Sequence, residues 1–439
     1  MRILLVQPPF EDFYATPIRL YPLGLLYAAR VLQEYGCEVG ILDCLSPLRK
    51  KERELPARFS SLRPWLGRPG FFRGFYRFGL AEDTIIERIR GFAPDLVGIS
   101  SLFTAYFESV RELARLIKAR LGLPVFIGGH HPTSFRGEIL KKAPEIKHVL
   151  EGPAEDCLPG FLDFLEPGHP HPRLDWRRLR PAHDLLDPGR YRIGRKPYLS
   201  LTASRGCPFR CDFCGVHRMF GRRISYRTVE SVLEEMREAA RGRGVRIFNF
   251  EDDNLSFDRE WFMGLLAAIR DDPVFEGSEL AAMNGLCASN LDEDVLSAMR
   301  TAGFKRLNLS LVTQARVLRD SLHRPHQSVE FRSLVKEALS LGLQVTVYVI
   351  LGLPGQTAEE VKETADGLLD LGVLVGPSVY YLAPGSRLFN ESKIPAAIKD
   401  DWGLFRSSAF AVESENLTQA QLVELFLYIR KRNLATKPS

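Results

Sequence analysis

The sequence predicts an α/β protein: a doubly wound, Rossmann- or flavodoxin-like domain over residues 1–165, a partial (β/α)6 barrel of the TIM type over 197–388, and a short helical tail over 389–439. Three observations predict it. Short apolar runs alternate with helix-length segments in both halves, the signature of parallel strands joined by crossover helices. Residues 166–196 interrupt the alternation with a Pro-, Arg- and His-rich stretch of no periodicity, which reads as a linker. A chain of 439 residues also exceeds one ordinary core and suits two large units.

In the first half, Arg2 to Gln7 reads as a strand, followed by Leu23, Leu26, Tyr27 and Val31 at helical spacing and Gly36 at a helix C-cap. Val39 to Leu42 is the second strand and Leu96 to Ser101 the third, reached through a helix from Ala81 to Phe92. A helix over Tyr106 to Leu121 leads to Val125 to Ile127, and His148 to Leu150 is a short fifth strand. In the second half, strands are expected at Tyr198 to Ala203, Val245 to Glu251, Leu280 to Leu286, Arg306 to Leu311, Val345 to Leu351 and Ser378 to Leu382. Chemistry in such a barrel belongs at the carboxyl ends of its strands. One helix, near Gln419 to Asn433, is expected in the tail.

No stretch approaches the roughly 18 apolar residues that a membrane-spanning helix needs. The amino terminus runs from Met1 to Val6 straight into Pro8-Pro9, unlike a signal peptide, so a cytoplasmic location is expected. Net charge is +5, too small to argue for nucleic acid as the main partner. Arg and Lys do gather among aromatic residues between Arg49 and Arg77, within an insertion over about 46–80. The expectation there is a solvated insertion whose aromatic rings pack onto the sheet edge, against the alternative of a surface for nucleic acid, anionic lipid or an acidic substrate.

Seven cysteines in this length make no disulfide scaffold. Cys37, Cys44, Cys157 and Cys287 read as small apolar residues, whereas Cys207, Cys211 and Cys214 crowd into a loop directly after the first barrel strand. Three thiolates on one loop can hold three irons of a four-iron four-sulfur (4Fe-4S) cluster and leave the fourth iron open. A zinc site completed by His217 is the competing reading, but structural zinc usually comes with paired cysteine motifs, and no second pair is present.

The segment Ala203-Ser-Arg-Gly-Cys-Pro-Phe-Arg-Cys-Asp-Phe-Cys214, with its Cys-x3-Cys-x2-Cys spacing and an aromatic before the last cysteine, resembles the radical S-adenosylmethionine (SAM) superfamily. The resemblance implies cluster ligation by the three cysteines, SAM bound at the open iron, and adenine contact around Phe213 and Gly215. The acidic run Glu251-Asp252-Asp253 at the second barrel strand is similar to an acidic pair in the cobalamin-type members, implying contact with the SAM amino group; capping of the next helix is the plainer alternative. Asn284 at the third strand, Ser310 and Thr313 at the fourth, and Leu351 and Pro354 around the fifth-strand turn Gly352-Leu-Pro-Gly355 complete the implied SAM contacts. Related proteins carry Glu-Ser where this chain has Val312-Thr313, a departure that removes one carboxylate.

The amino-terminal half resembles the cobalamin-binding domain that precedes many radical SAM barrels, through Pro22-Leu23-Gly24 and Pro94-Asp-Leu-Val-Gly-Ile-Ser100. Its strand-end loops offer Gln7, Pro8, Ser101, Leu102, Thr104, Gly128, Gly129, His130, Glu151 and Gly152. The D-x-H-x-x-G signature is absent, so His130 and His131 are expected to hydrogen-bond the corrin or its tail rather than ligate cobalt; a domain that has lost cobalamin is the alternative. The resemblance implies a C-methyltransferase that uses SAM, a 5'-deoxyadenosyl radical and methylcobalamin on an unactivated carbon of a small molecule or natural product. The alternative is a cobalamin-dependent cyclase or rearrangement enzyme without methyl transfer. An external electron donor such as flavodoxin or ferredoxin is implied, and Tyr380 and Tyr381 are the substrate-contact candidates. A non-enzymatic regulator would require the cysteine triplet to be idle.

Overall fold

The computed structural model describes residues 1–15, 21–168, 174–325, 331–391 and 394–435, so part of the expected linker and the last residues of the tail lie outside it. Two compact units form: residues 1–68, 72–192 and 218–220 make the first, and 69–71, 193–217 and 221–439 the second.

The first unit contains β1 (Arg2–Gln7), β2 (Phe10–Asp12), β3 (Glu38–Asp43), β4 (Lys50–Arg53), β5 (Phe75–Phe78), β6 (Leu96–Ser100), β7 (Val125–Gly128) and β8 (His148–Val149). Five of these form a parallel sheet in the order β3-β1-β6-β7-β8. This is the flavodoxin-like order, and its direction of progression reverses between β1 and β6. The strands lie where their apolar runs predict. Sheet residues Ile3, Leu5, Val39, Leu96 and Phe126 pack with Val31 and Leu32 of the helix Leu23–Glu34 and with Leu158 and Phe161 of the helix Ala154–Leu165. Leu179 and Ala182 join this core, so the stretch expected to be a linker is packed rather than free.

The insertion departs from expectation. Its aromatic residues do not dress the sheet edge; with β2 they build a small antiparallel sheet, β2-β5-β4, with a core of its own. Phe13 meets Phe59, Phe72 and Phe75 at ring separations of 5.1–5.2 Å. Three strands with an apolar face can stand as a layer where a lone hairpin cannot.

The second unit contains β9 (Arg192–Ile193), β10 (Lys196–Leu201), β11 (Ser204–Arg205), β12 (Ser225–Tyr226), β13 (Ile247–Phe250), β14 (Glu279–Ala281), β15 (Arg306–Val312), β16 (Gln344–Leu351) and β17 (Leu374–Val379). Parallel pairing joins β10, β13 and β14, and separately β15, β16 and β17. Isolated parallel bridges, Leu280 to Phe304 and Leu286 to Leu309, connect the two groups, giving an open barrel of six strands in chain order. The third strand ends at Ala281, which leaves Asn284 in a turn. The sixth runs earlier than its expected Ser378–Leu382 because Pro377 is tolerated on an edge strand, where no neighbour needs its N–H. The tail covers that edge: in the helix Gln419–Ala435, Asn433 accepts from the Val375 N–H at 2.9 Å and donates to its carbonyl at 2.7 Å.

Gly98 on β6 shows how tightly the first sheet is packed, since a Cβ there would stand 2.3 Å from the Phe126 ring and 2.7 Å from Leu5. Gly98→Ala is expected to destabilise the protein by about 1–3 kcal/mol, read as a lowered urea midpoint; an unchanged midpoint would contradict this packing.

Candidate active site

The cysteine loop leaves the top of β10 and is clamped before it reaches its first thiol. Asp252, just past β13, accepts from the Ala203 N–H at 3.1 Å, from the Ser204 N–H, and from the Ser204 hydroxyl at 2.6 Å. Asp253 accepts from the Gly206 N–H at 3.3 Å. Antiparallel pairing of β11 with β12 closes the loop into a hairpin. Beneath it, buried Arg227 pairs with Glu235 and donates to the Thr202 carbonyl at 3.2 Å. On the far side Gly215 lies so close to the Pro384 carbonyl that a Cβ would be 2.4 Å from it, so only glycine fits between Cys214 and that segment.

The three thiols sit close enough to raise one another. Burial first, and then the other sulfurs, hold the Cys207 and Cys214 thiols above the usual range, Cys214 at about 11. For Cys211 burial again raises the thiol, partly offset by the Arg324 guanidinium. One guanidinium does not balance three thiolates, and an iron core would supply the remaining positive charge while displacing the thiol protons. Among the described residues no group of three or more His, Cys, Asp and Glu side chains converges as a single ion would require. A cubane holds its ligands at separate corners and makes no such demand, so the residues fit the cluster.

The expected SAM contacts separate into two sets. Phe213, Gly215, Glu251 and Asp253 stand around the cysteine loop, with Glu251 fixed by donors from Asn249 and Ser200. Asn284 is exposed in its turn, and Ser310 is partly exposed on β15. Asp252 is 5% exposed, and its carboxyl is engaged by the loop backbone and the Ser204 hydroxyl, so it anchors the cysteine loop. Thr313 is fully buried and bonds Glu360. The Leu351 side chain is buried, its carbonyl accepts from Tyr380, and Gln356 engages the Gly352 and Leu353 amides at 2.8 and 3.3 Å. Pro354 keeps a partly exposed position in that turn. Of the two tyrosines, Tyr380 is buried in the interior and only Tyr381 is exposed.

Three features escaped the sequence reading. Arg324 reaches back to the site, its guanidinium 3.7 Å from the Cys211 sulfur and donating to the Ser310 carbonyl. It touches the bulge where Val312 adopts φ 79°, a strained conformation for a β-branched residue. Cys287, expected to be an inert apolar residue, lies near Cys211 and Arg324. Tyr348 on β16 donates to the Met283 carbonyl at 3.3 Å and fills room left by glycine: a Cβ at Gly376 would be 2.5 Å from its ring and one at Gly285 3.2 Å. No local motif announces these residues: Tyr348 comes from β16, Arg324 from the segment after the helix Arg316–Ser321 and Cys287 from the segment after β14.

In the first unit, the expected cobalamin contacts lie on the loops that follow β1, β6, β7 and β8. Gln7, Pro8, Gly128, His130 and Gly152 are partly exposed there, and Leu102 and Glu151 are exposed. The Ser101 hydroxyl is buried with no partner among the described residues, a donor awaiting an acceptor. No atom lies within 4 Å of a Cβ built at Gly128 or Gly152, whereas Gly129, at φ 126°, presses against the Ser101 carbonyl. Thr133 ties the two glycine loops, donating to the Gly129 carbonyl at 2.8 Å and accepting from the Gly152 N–H at 3.0 Å. This open, partly apolar ledge with an orphaned hydroxyl fits cobalamin. His131 is fully buried between Phe107 and Phe135 and bonds the Thr104 hydroxyl at 3.1 Å. Burial keeps His130 neutral, lowering it to about 4.

Comparison with known proteins agrees with both halves. The Radical SAM superfamily matches residues 201–368 and the B12 binding domain matches residues 73–162. The chain is 25% identical to cytidylyl-2-hydroxyethylphosphonate methyltransferase of Streptomyces wedmorensis, over 92% of this chain and 84% of that protein. It is 26% identical to anaerobic magnesium-protoporphyrin IX monomethyl ester cyclase of a Synechocystis species, over 71% of this chain and 61% of that protein. Among solved structures, the radical SAM methyltransferase TsrM from Kitasatospora setae, with cobalamin and a 4Fe-4S cluster bound, aligns with a TM-score of 0.67 at 18% identity, over 98% of this chain and 90% of that one; this likeness concerns the fold. Among the described residues no helix is long and apolar enough to cross a membrane.

Burial pushes Asp252 up to about 7 despite its hydrogen bonds. A raised carboxyl binds its proton more tightly in the folded chain, so its contribution is complete below about pH 4 and lost as pH rises through about 7. The urea midpoint of the apoprotein is expected to fall between about pH 5 and about pH 8, and Asp252→Asn should flatten that fall. Equal slopes in the two proteins would sink the assignment.

Proposed function

We propose that this chain, a member of the radical SAM superfamily that carries a B12 binding domain, is a cobalamin-dependent C-methyltransferase acting on an unactivated carbon of a small-molecule or natural-product substrate. The observation that carries the reading is the clamped loop of Cys207, Cys211 and Cys214 at the strand tops, in a chain whose other unit keeps an open ledge at the ends of its sheet strands. When bound, the cluster supplies the electron that cleaves SAM to a 5'-deoxyadenosyl radical, and cobalamin carries the methyl group.

The chain's own residues divide the remaining work. Arg324 supplies the cation suited to the SAM carboxylate beside Cys211, and Asp253 with Glu251 offers anionic partners for the SAM amino group. Phe213 and the turn around Pro354 border the adenosine, with Asn284 and Ser310 as further polar contacts. Gln7, Pro8, Ser101, Leu102, Gly128, Gly129, His130, Glu151 and Gly152 hold cobalamin, with the Ser101 hydroxyl given its missing acceptor. Tyr381 meets the substrate. The domains are 1–165 for cobalamin, 197–388 for the radical chemistry and 389–439 for the tail, and an external flavodoxin or ferredoxin reduces the cluster in the cytoplasm.

A second reading, cyclisation without methyl transfer, draws on the likeness to the magnesium-protoporphyrin cyclase, which spans less of this chain than the likeness to the phosphonate methyltransferase. After anaerobic reconstitution with cobalamin, methyl transfer predicts S-adenosylhomocysteine beside 5'-deoxyadenosine, and cyclisation predicts 5'-deoxyadenosine alone. Alanine at any one of the three cysteines is expected to abolish SAM cleavage and lower bound iron. Intact SAM cleavage in a single-cysteine variant, or zinc in place of iron, would refute the assignment.

A further inference from the structure

We propose that the surface beside Cys207, made by Phe209, Arg210, Arg222, Arg223 and Phe257, is the docking site of an acidic, flavodoxin-type electron donor. The inference rests on the reading of the chain as a radical SAM enzyme.

Two routes bring aromatic rings to Cys207. Phe209 follows it by two residues along the loop. Asn254 places its amide nitrogen 3.6 Å from the Cys207 sulfur, and Phe257 is held to Asn254 by an N–H to carbonyl bond of 3.2 Å. The two rings meet edge-on at 5.7 Å, and Phe257 remains 39% exposed, which is unusual for so large an apolar ring without a covering partner. Arg210 follows Phe209 along the loop and Arg223 follows Arg222, and all three arginines are exposed. Arg222 donates to the Phe209 carbonyl at 3.0 Å, and none of the three makes an ion pair among the described residues. Two of the nearby acids are engaged elsewhere, while Glu260 stands exposed in the first turn of the helix Arg259–Asp271. Asp258 caps the helix Arg259–Asp271 through the Trp261 N–H at 3.0 Å, and Asp292 pairs with Arg259 at 2.9 Å.

An apolar centre with a rim of unpaired cations is the surface that an acidic redox protein recognises. Opposite charge speeds encounter, and desolvated rings hold the docked state. The reaction across it is a single electron transfer: the donor's reduced flavin loses one electron, the cluster gains one, and no bond or proton need move between the proteins. Docking here sets the donor against the loop of Cys207, whose side chain is partly exposed while Cys211 is buried.

The test compares the reconstituted full chain with the variant Arg210→Glu/Arg222→Glu/Arg223→Glu, with Phe257→Ala, and with Lys50→Glu/Lys51→Glu on the exposed strand β4 as a control for bulk charge. Calorimetric binding to an acidic flavodoxin is measured at low and high salt. 5'-Deoxyadenosine formation is driven in parallel by reduced flavodoxin and by titanium(III) citrate. The arginine reversals are expected to weaken flavodoxin binding at low salt by about tenfold or more, an effect that fades as salt rises. They should slow only the flavodoxin-driven reaction. Phe257→Ala should weaken binding at both salt levels, and the lysine control should behave as wild type. The proposal is overturned if the arginine variant binds like wild type, if both reversals weaken binding alike, or if the titanium-driven reaction falls equally. Should titanium(III) yield no 5'-deoxyadenosine with the wild-type chain, the functional reading fails, and the binding comparison alone still judges the surface.

Discussion

One buried carboxylate carries more of this architecture than any thiol does. A loop of closely spaced cysteines has no reason to hold a fixed shape, since each sulfur resists burial as an anion and each repels its neighbours. Asp252 supplies the reason: it gathers two backbone N–H groups and a hydroxyl at the point where the loop departs β10. Because it sits just past β13, the strand pairing of the barrel is transmitted directly to the position of the thiols. Arg227 and Glu235 extend the same device one layer down, a buried ion pair whose guanidinium also donates to backbone and hydroxyl oxygens. Breaking one partner of such a pair costs several times more than a surface ion pair would.

The legible part of the fold was the part governed by period. The strands of the flavodoxin-like sheet read directly from Arg2–Gln7, Glu38–Asp43 and Leu96–Ser100, because fully buried parallel strands are nearly unbroken apolar runs. β17 was harder, since Gly376 and Pro377 imitate a breaker; only its place at a sheet edge, finished by the Asn433 amide, lets proline stay. The insertion was misjudged for a related reason. Its aromatic residues carry no clear period, so the text of the sequence does not say whether they face a neighbour or one another.

The site divides in the same way. Cys207, Cys211 and Cys214 were legible because their ligand chemistry is local, encoded in spacing along one loop. Asp252 is conspicuous for its charge, but its anchoring of the loop is not legible, as a carboxylate beside a cofactor and one beneath a loop look identical in sequence. Arg324 and Cys287 went unnoticed because they come to the loop from connecting segments, one beyond the helix Arg316–Ser321 and the other beyond β14, and such convergence is a property of tertiary packing. His131 shows the converse: a histidine at a strand end looks like a ligand until burial between two aromatic rings removes it from the surface.

Tyr348 has a bearing on how the barrel can change. Its ring takes up space conceded by Gly376 on the neighbouring strand β17 and by Gly285 in the turn after β14, and its hydroxyl steadies that turn. A larger residue at either glycine has no room to enter while the ring is present. A smaller residue in place of the ring would free its whole volume without disturbing any strand. Packing at this point of the barrel is thus set by one side chain, and it can loosen there more readily than it can tighten.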